Sequence, residues 1–407
     1  MDVSASRPCW KRFKREWRDN LIIENDVEID LLLETGGGGS GRHVLDLYAE
    51  LRRTGWDAHL ILSQHRADRG FLEEVAHISR DHVTFINMRR SPHISDLHAI
   101  SQLKSYIEGS HKRHLLHAHS TKAGMLGAAL GKAVNCKVFT PHAYRGMDPS
   151  LPWHKAGAIR LAENVFSRAY SKIVAVSPEE EQYLISVLKI PRKRICYIPN
   201  GIDSASIRCR VDGASRQREK GTKPVIGFVG RLVHQKDPAL FLETFRTVVG
   251  RGNAARAVIV GNGPLRVSLE RSAAAYNLSH LIDWRGDAPG VEALGEMDVV
   301  VHTSRYESFP YTLLEAAAGA IPIVAVENSG SRAILGEELP EAIVASPEPD
   351  KLTDAILSVL HDGPTRRRYL AALDVVSQRF TIKNMVKAIT SEYVHVLKPG
   401  TAYSQAS

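Results

Sequence analysis

The chain has 407 residues, 43% of them hydrophobic, a formal net charge of +8 and a pI of about 9.2, so it is long enough for two domains that each bury a core. No apolar run reaches membrane-spanning length, and short ones such as IDLLLETG and VIGFVG read as buried strands. Cys9, Cys136, Cys196 and Cys209 lack metal-binding spacing, and the opening segment has no uninterrupted apolar core of a signal peptide, which argues for a reducing, cytoplasmic setting and against secretion.

Residues 1–24 form a basic extension. Its cluster KRFKREWRD at residues 11–19 reads either as a short helix on an anionic membrane surface or as a solvated tail. No aromatic-basic recognition module follows it, so nucleic acid is not an expected partner. From residue 25 to 203, VEIDLLL, AHLIL, HVTFIN, HLLHA, CKVFT and SKIVAVS read as strands separated by helical runs such as HVLDLYAELRRTG and TKAGMLGAALGKAV. Buried parallel strands need such helical crossovers, so the segment reads as a Rossmann-like α/β domain.

Residues 204–222 are polar and strand-poor and read as an interdomain connection. The pattern then restarts over 223–380 with PVIGFVG, ARAVIVG, HLIDWRG, MDVVVHTS and IPIVAV, with helices after Pro238 and Pro264 and through LLEAAAG. Residues 381–407 hold a terminal helix at 384–397, expected to cross back to the first domain, and a frayed tail. Two Rossmann-like α/β domains are the expected architecture.

Chemistry concentrates at strand ends. TGGGGSGRH follows the first strand and opens a helix, so Gly38 and Gly39 can present amide hydrogens and the positive helix end to an anion. The run is neither a P-loop nor a strict dinucleotide fingerprint, and a purely structural turn is the alternative. In the second domain Gly230, Arg231 and Lys236 follow PVIGFVG in GRLVHQK, where the two cations can neutralise a diphosphate as a leaving group without a metal. Gly261 and Gly263 in VIVGNGP mark a neighbouring turn.

Glu307 and Glu315 stand eight residues apart in RYESFPYTLLEAAAG. Glu307 reads as a loop carboxylate suited to a sugar and Glu315 as one near a helix start suited to ribose hydroxyls. His117 and His119 share one face of a strand by alternation and are crowded by His111 and His114, so cleft lining, fold support and metal ligation all remain open. Ser177 and Glu180 in AVSPEE read as a helix cap. Asn200 in IPNGID reads as an Asn-Gly turn whose amide can also face a ligand. Tyr144, Arg145 and Asp148 read either as acceptor-recognition groups or as a packed loop.

Taken together, the glycine turn, His119, His142, SPEE, IPNGID, GRLVHQK and E-x7-E resemble the GT-B glycosyltransferases of the retaining family called GT4, over nearly the whole chain. The resemblance implies two domains facing across a cleft, with the acceptor on residues 25–203 and a nucleotide sugar on 223–380. It implies Arg231 and Lys236 at the diphosphate, Glu307 at the donor sugar or its phosphate, Glu315 at ribose and His142 beside the transferred sugar. No D-x-D motif occurs, so neither metal nor cofactor is expected and the nucleotide-diphosphate sugar is a co-substrate.

Ser308, Phe309, Pro310 and Tyr311 replace the glycine-containing opening common in that family, so Phe309 and Pro310 are expected to alter donor-sugar contacts. Ser329 and Gly330 in ENSGSR are candidates to border phosphate. The implied reaction moves a hexose or N-acetylhexosamine, UDP-linked in the first reading, to a polysaccharide or polyprenyl-diphosphate-linked saccharide at the inner face of the membrane. A GDP-mannose-dependent mannosyltransferase, a hydrolytic or inactive sugar-nucleotide protein and a membrane-associated scaffold are the alternatives.

Overall fold

The computed structural model describes residues 26–89, 91, 93–148, 151–215 and 223–398. It divides into two compact units, one running through Gly201 and resuming at Ile382, the other spanning Ile202–Thr381. The basic cluster at residues 11–19 lies outside the described residues.

Unit 1 is a seven-stranded parallel sheet of β1 (Val27–Leu33), β2 (Asp57–Leu62), β3 (Val83–Phe85), β4 (Arg113–His119), β5 (Cys136–Thr140), β6 (Lys172–Ala175) and β7 (Ile195–Tyr197). Its strand order is β3-β2-β1-β4-β5-β6-β7. The crossovers are α1 (Gly38–Arg53), α2 (Arg69–Ala76), α3 (Ser95–Glu108), α4 (Thr121–Ala129), α5 (Trp153–Ser167) and α6 (Pro178–Ser186). β1 is central because Ile29, Leu31, Leu32 and Leu33 are all fully buried, and its two faces feed two separate cores.

Unit 2 begins with α7 (Ser204–Ser215), so residues 204–215 of the expected connection are an ordered helix of this unit. The polar composition concealed two anchors: Ile207 and Val211 are buried one turn apart, and Arg208 Nε donates to the carbonyl of Ala318 at 2.7 Å. A six-stranded parallel sheet follows, of β8 (Val225–Val229), β9 (Arg256–Val260), β10 (Ile282–Gly286), β11 (Val299–His302), β12 (Ile323–Val326) and β13 (Ile343–Val344), in the order β10-β9-β8-β11-β12-β13. Its helices are α8 (Pro238–Gly250), α9 (Arg266–Ala275), α10 (Gly290–Leu294), α11 (Tyr311–Ala318), α12 (Ser329–Leu335), α13 (Pro349–His361) and α14 (Gly363–Arg379).

The chain then returns to unit 1 as α15 (Ile382–Leu397), whose Met385, Val386, Ile389 and Tyr393 complete the core beneath α1. Tyr393 meets Trp56 edge-on at 6.2 Å between ring centroids. Burying these four side chains is worth roughly 1.5–3 kcal/mol each, which ties the last helix to the first unit.

In both sheets the chain winds outward from a central pair, β1 and β4 in unit 1 and β8 and β11 in unit 2. Loops leaving the carboxyl ends of such a pair diverge to opposite faces and leave a crevice at the reversal, the place where open α/β sheets bind ligands.

Candidate functional site

In unit 2 that reversal joins the two motifs the sequence singles out. Gly230 and Arg231 leave β8, and Arg305, Tyr306 and Glu307 leave β11. The Lys236 ammonium nitrogen stands 2.5 Å from Glu307 Oε1, and both side chains are largely buried. Backbone and side-chain hydrogen bonds clamp the two loops together: Arg305 N–H donates to the Gln235 carbonyl at 2.9 Å, and the Thr303 hydroxyl donates to the Lys236 carbonyl at 2.8 Å. Asp237, at φ +46, caps α8 and pairs with Arg305 at 2.8 Å. Thr303 and Asp237 are supporting groups that the sequence reading missed, since neither carries a motif signal.

Arg231 is exposed, and its guanidinium forms no ion pair with any described residue. The loop after β8 thus carries both a largely buried cation tied to a carboxylate, Lys236, and a solvated one, Arg231.

Glycine is required in this region by backbone approach. A Cβ on Gly261, at φ +127, would lie 2.0 Å from the Gly230 carbonyl oxygen, so the loops after β8 and β9 touch main chain to main chain. Gly330 N–H donates to the Glu307 carbonyl at 2.8 Å, and a Cβ there would meet Pro310 at 2.4 Å. The small-residue stretch ENSGSR therefore packs directly against the Glu307 loop, and Asn328 caps α12 through a reciprocal bond with Ser331.

Glu315 lies in the second turn of α11, partly exposed. Phe309 is buried and meets Phe380 edge-on at 5.2 Å, so its bulk anchors the loop in the core. Pro310 is likewise buried at the start of α11. An aromatic next to a proline in an otherwise polar motif was the available signal for that packing.

In unit 1 the reversal is lined by imidazoles. Gly38 and Gly39 are exposed at the start of α1, and Gly38 takes φ +60. The preceding Gly36 and Gly37 leave no room for a Cβ against Phe71 and Asp68. His119 ends β4 and His142 follows β5 at φ +55, with His119 Nδ1 3.1 Å from His142 Nε2. His117 lies on the same face as His119, with ring centroids 4.0 Å apart, as alternation requires. Its two nitrogens are taken by the Tyr393 hydroxyl at 2.6 Å and the Thr140 hydroxyl at 2.7 Å, which makes it a fold-supporting residue.

Asn200 is buried, and its Oδ1 lies 3.0 Å from His43 Nδ1. His43 carries no motif signal within its amphipathic helix, yet it reaches the same place as His119 and His142. Burial pushes the His43 imidazolium down to about 4. Burial, reinforced by mutual repulsion of neighbouring imidazoles, holds His117, His119 and His142 well below the usual histidine range. All four rings are neutral at physiological pH.

The His142 turn is held from behind. Glu180, fully buried, accepts the Ala143 N–H and the Val176 N–H, each at 2.8 Å, and burial pushes its carboxyl up to about 7. Ser177 caps α6 by accepting the Glu180 N–H, as its sequence position implies. Glu180 adds a second role, since Ala143 itself sits at φ +80. Tyr144 is packed, its hydroxyl 2.8 Å from Ser167 Oγ, while Arg145 is exposed. No described helix is long and apolar enough to cross a membrane.

Two family models match the chain, "Glycosyltransferase Family 4" over residues 37–206 and "Glycosyl transferases group 1" over residues 214–372. Among curated proteins, an Escherichia coli UDP-Gal:alpha-D-GlcNAc-diphosphoundecaprenol alpha-1,3-galactosyltransferase is 25% identical over 75% of this chain and 81% of its own length. A D-inositol 3-phosphate glycosyltransferase of Corynebacterium diphtheriae is 24% identical over 88% of this chain and 89% of its own. Among solved structures, Anabaena HepE in complex with UDP and glucose superposes with a TM-score of 0.75 at 18% identity, covering 90% of this chain and 99% of that one. A Rickettsia africae glycosyltransferase does so at 0.71 and 17%, covering 92% and 100%.

Proposed function

This chain belongs to the GT4-type glycosyltransferases of GT-B fold, and on that premise we propose that it moves a hexose or N-acetylhexosamine from a UDP-sugar to a lipid-linked saccharide with retention of configuration. The observation that carries this reading is the joining of GRLVHQK to the E-x7-E segment through the Lys236–Glu307 pair at the strand reversal of unit 2. The galactosyltransferase relative, named for a UDP-sugar donor and a diphosphoundecaprenol acceptor, supports the choice of substrates.

In this proposal Lys236 and Arg231 stabilise the diphosphate as the bond from the anomeric carbon to its oxygen breaks. The acceptor hydroxyl attacks on the face that the phosphate leaves. Its oxygen bonds the anomeric carbon and its proton passes to the departing phosphate oxygen. Glu307 positions the Lys236 ammonium and meets the sugar, and Glu315 accepts hydrogen bonds from ribose. His142, kept neutral, orients the sugar and does not act as a nucleophile. Each step uses groups of this chain and the donor alone.

A lipid-linked acceptor calls for work at a membrane surface. On α5, Trp153, Leu161 and Val165 are exposed at 87%, 67% and 64% and lie on one side of the helix by their spacing, with exposed Arg168 at the end of that side and exposed Lys155 further round the helix. Apolar groups with flanking cations suit an anionic bilayer.

The test is transfer from a panel of UDP- and GDP-sugars to polyprenyl-diphosphate-linked saccharides, with mass spectrometry to detect the product and NMR to assign the anomer. A retained-configuration product from a UDP-sugar is expected. Transfer only from GDP-mannose would move the assignment to a mannosyltransferase, an inverted product would overturn the mechanism, and binding without turnover would favour a scaffold.

A further inference from the structure

We infer that His43, His119 and His142 form a binding site for a single transition-metal dication of the zinc class. The three residues come from separate elements, α1, the end of β4 and the turn after β5, and one ligand atom of each lies within 4.8 Å of the others. Their ring centroids are 4.6, 5.3 and 5.4 Å apart. Imidazoles bound at about 2.0–2.1 Å to one tetrahedral zinc hold their ring centres roughly 5 Å apart. Sharing one ion takes rotation of the rings and breaks the 3.1 Å hydrogen bond between His119 Nδ1 and His142 Nε2, which frees a His142 nitrogen for the metal.

The protonation pattern points the same way. His43 Nδ1 faces the carbonyl oxygen of the Asn200 side chain, an acceptor, so Nδ1 carries the proton and Nε2 keeps a lone pair. That Nε2 is buried with no hydrogen-bond partner among the described residues, and so is His119 Nε2. A histidine whose second nitrogen donates to a carbonyl while the first is left bare has the arrangement of a metal ligand with its orienting group. Each such nitrogen has lost its water without gaining a partner, a cost that a bound ion would offset.

Donor type narrows the ion. Three neutral imidazoles suit zinc, cobalt, nickel or copper, whereas magnesium, calcium and manganese favour oxygen. Three protein ligands also leave a fourth position for water or a substrate oxygen. His117 is excluded, because both its nitrogens are already engaged. The second acidic and histidine group of this unit, Glu28, Asp30 and His114, is closed by its own bonds: Asp30 accepts from His114 at 2.8 Å and from the Tyr106 hydroxyl at 3.0 Å. Where the proposed transfer activity holds, an ion on His142 removes that ring from the sugar and zinc inhibits.

The experiment titrates the metal-free full chain with cobalt(II) and with zinc in competition with a chromophoric chelator, followed by zinc-edge X-ray absorption. One equivalent of zinc is expected, with a visible cobalt band of the intensity of a tetrahedral site and three imidazole ligands. His43→Ala and the milder His43→Gln should abolish the cobalt band, and Asn200→Ala should weaken zinc affinity by about 10–100-fold, the usual loss on removing an orienting group. Failure of the folded wild-type chain to take up one equivalent would overturn the site. So would uptake unchanged in a folded His43 variant, or an absorption spectrum dominated by carboxylate oxygens. Neither readout depends on turnover, so a failed transfer assay leaves the metal question separately answered.

Discussion

Removing Lys236 should expose a carboxylate that works against the donor, and this gives a sharper prediction than loss of a cation alone. Lys236 and Glu307 are paired at 2.5 Å with only 15% and 13% of their side chains exposed. In Lys236→Ala the diphosphate loses a charge-assisted contact worth about 1.5–3 kcal/mol, or roughly 10–150-fold in affinity. Glu307 is then left uncompensated beside the phosphates, and repulsion of about 1 kcal/mol or more at the effective dielectric of such a site adds a further factor of about five. The double variant Lys236→Ala/Glu307→Ala removes that repulsion. UDP affinity, measured by calorimetry so that sugar contacts are absent, should therefore fall in Lys236→Ala and recover by about fivefold in the double variant. Stability should follow the same order, since an unpaired, mostly buried charge costs more than a removed pair. Equal or weaker UDP binding by the double variant would refute the reasoning, because it would mean that Glu307 helps the nucleotide directly.

Gly261→Ala should lower stability by more than 2 kcal/mol in urea titration and reduce UDP binding, because its Cβ would collide with the Gly230 carbonyl and its φ of +127 is strained for any L side chain. Glu180 has its carboxyl raised to about 7, so its folded form prefers the proton: stability from this group is full below about pH 4.5 and falls by about 3 kcal/mol as pH rises through 7. Unfolding free energies from pH 5 to 8 should decline less steeply in Glu180→Gln than in the wild type, and identical slopes would exclude Glu180 as the cause. His142→Ala should reduce kcat by 10²-fold or more with UDP affinity unchanged, read by initial rates beside calorimetry. Trp153→Ser, at an 87% exposed position, should leave the melting temperature in place while reducing sedimentation with phosphatidylglycerol vesicles.

The strand pattern was legible because both sheets are parallel and buried on two faces, so strands such as VEIDLLL and MDVVVHTS appear as continuous apolar runs. The helix at Ser204–Ser215 was not, since Ile207 and Val211 are its only buried hydrophobic residues and its other anchors are polar, such as Arg208 on the Ala318 carbonyl. The candidate site divides the same way. Lys236 and Glu307 were legible as motifs, and their contact follows from the adjacency of β8 and β11. His43 was not legible, because a histidine on the inner face of an amphipathic helix looks like any core position until Asn200, far along the chain, is brought to it. The packing of Phe309 against Phe380 was not legible either, because Phe380 lies far along the chain at the end of α14.

The two units share a strand reversal but differ in charge there, and this difference argues for which one takes the phosphates. In unit 1 the four rings at the reversal are neutral, Arg42 is paired with Asp46 and Lys122 with Asp96, and the exposed Arg145 follows His142 by three residues. The amide hydrogens at the start of α1 add a modest attraction for an anion. Unit 2 offers Arg231 in solvent and Lys236 held beside it by a single carboxylate. A diphosphate carries at least two negative charges and gains additional charge when it leaves, so its strongest available counter-charge is in unit 2. The neutral nitrogens of unit 1 then suit uncharged hydroxyls, or a soft cation, far better than a phosphate. In the proposed reaction one Rossmann-like frame thus serves two tasks in one chain through the charge of a few strand-end residues rather than through any change of topology.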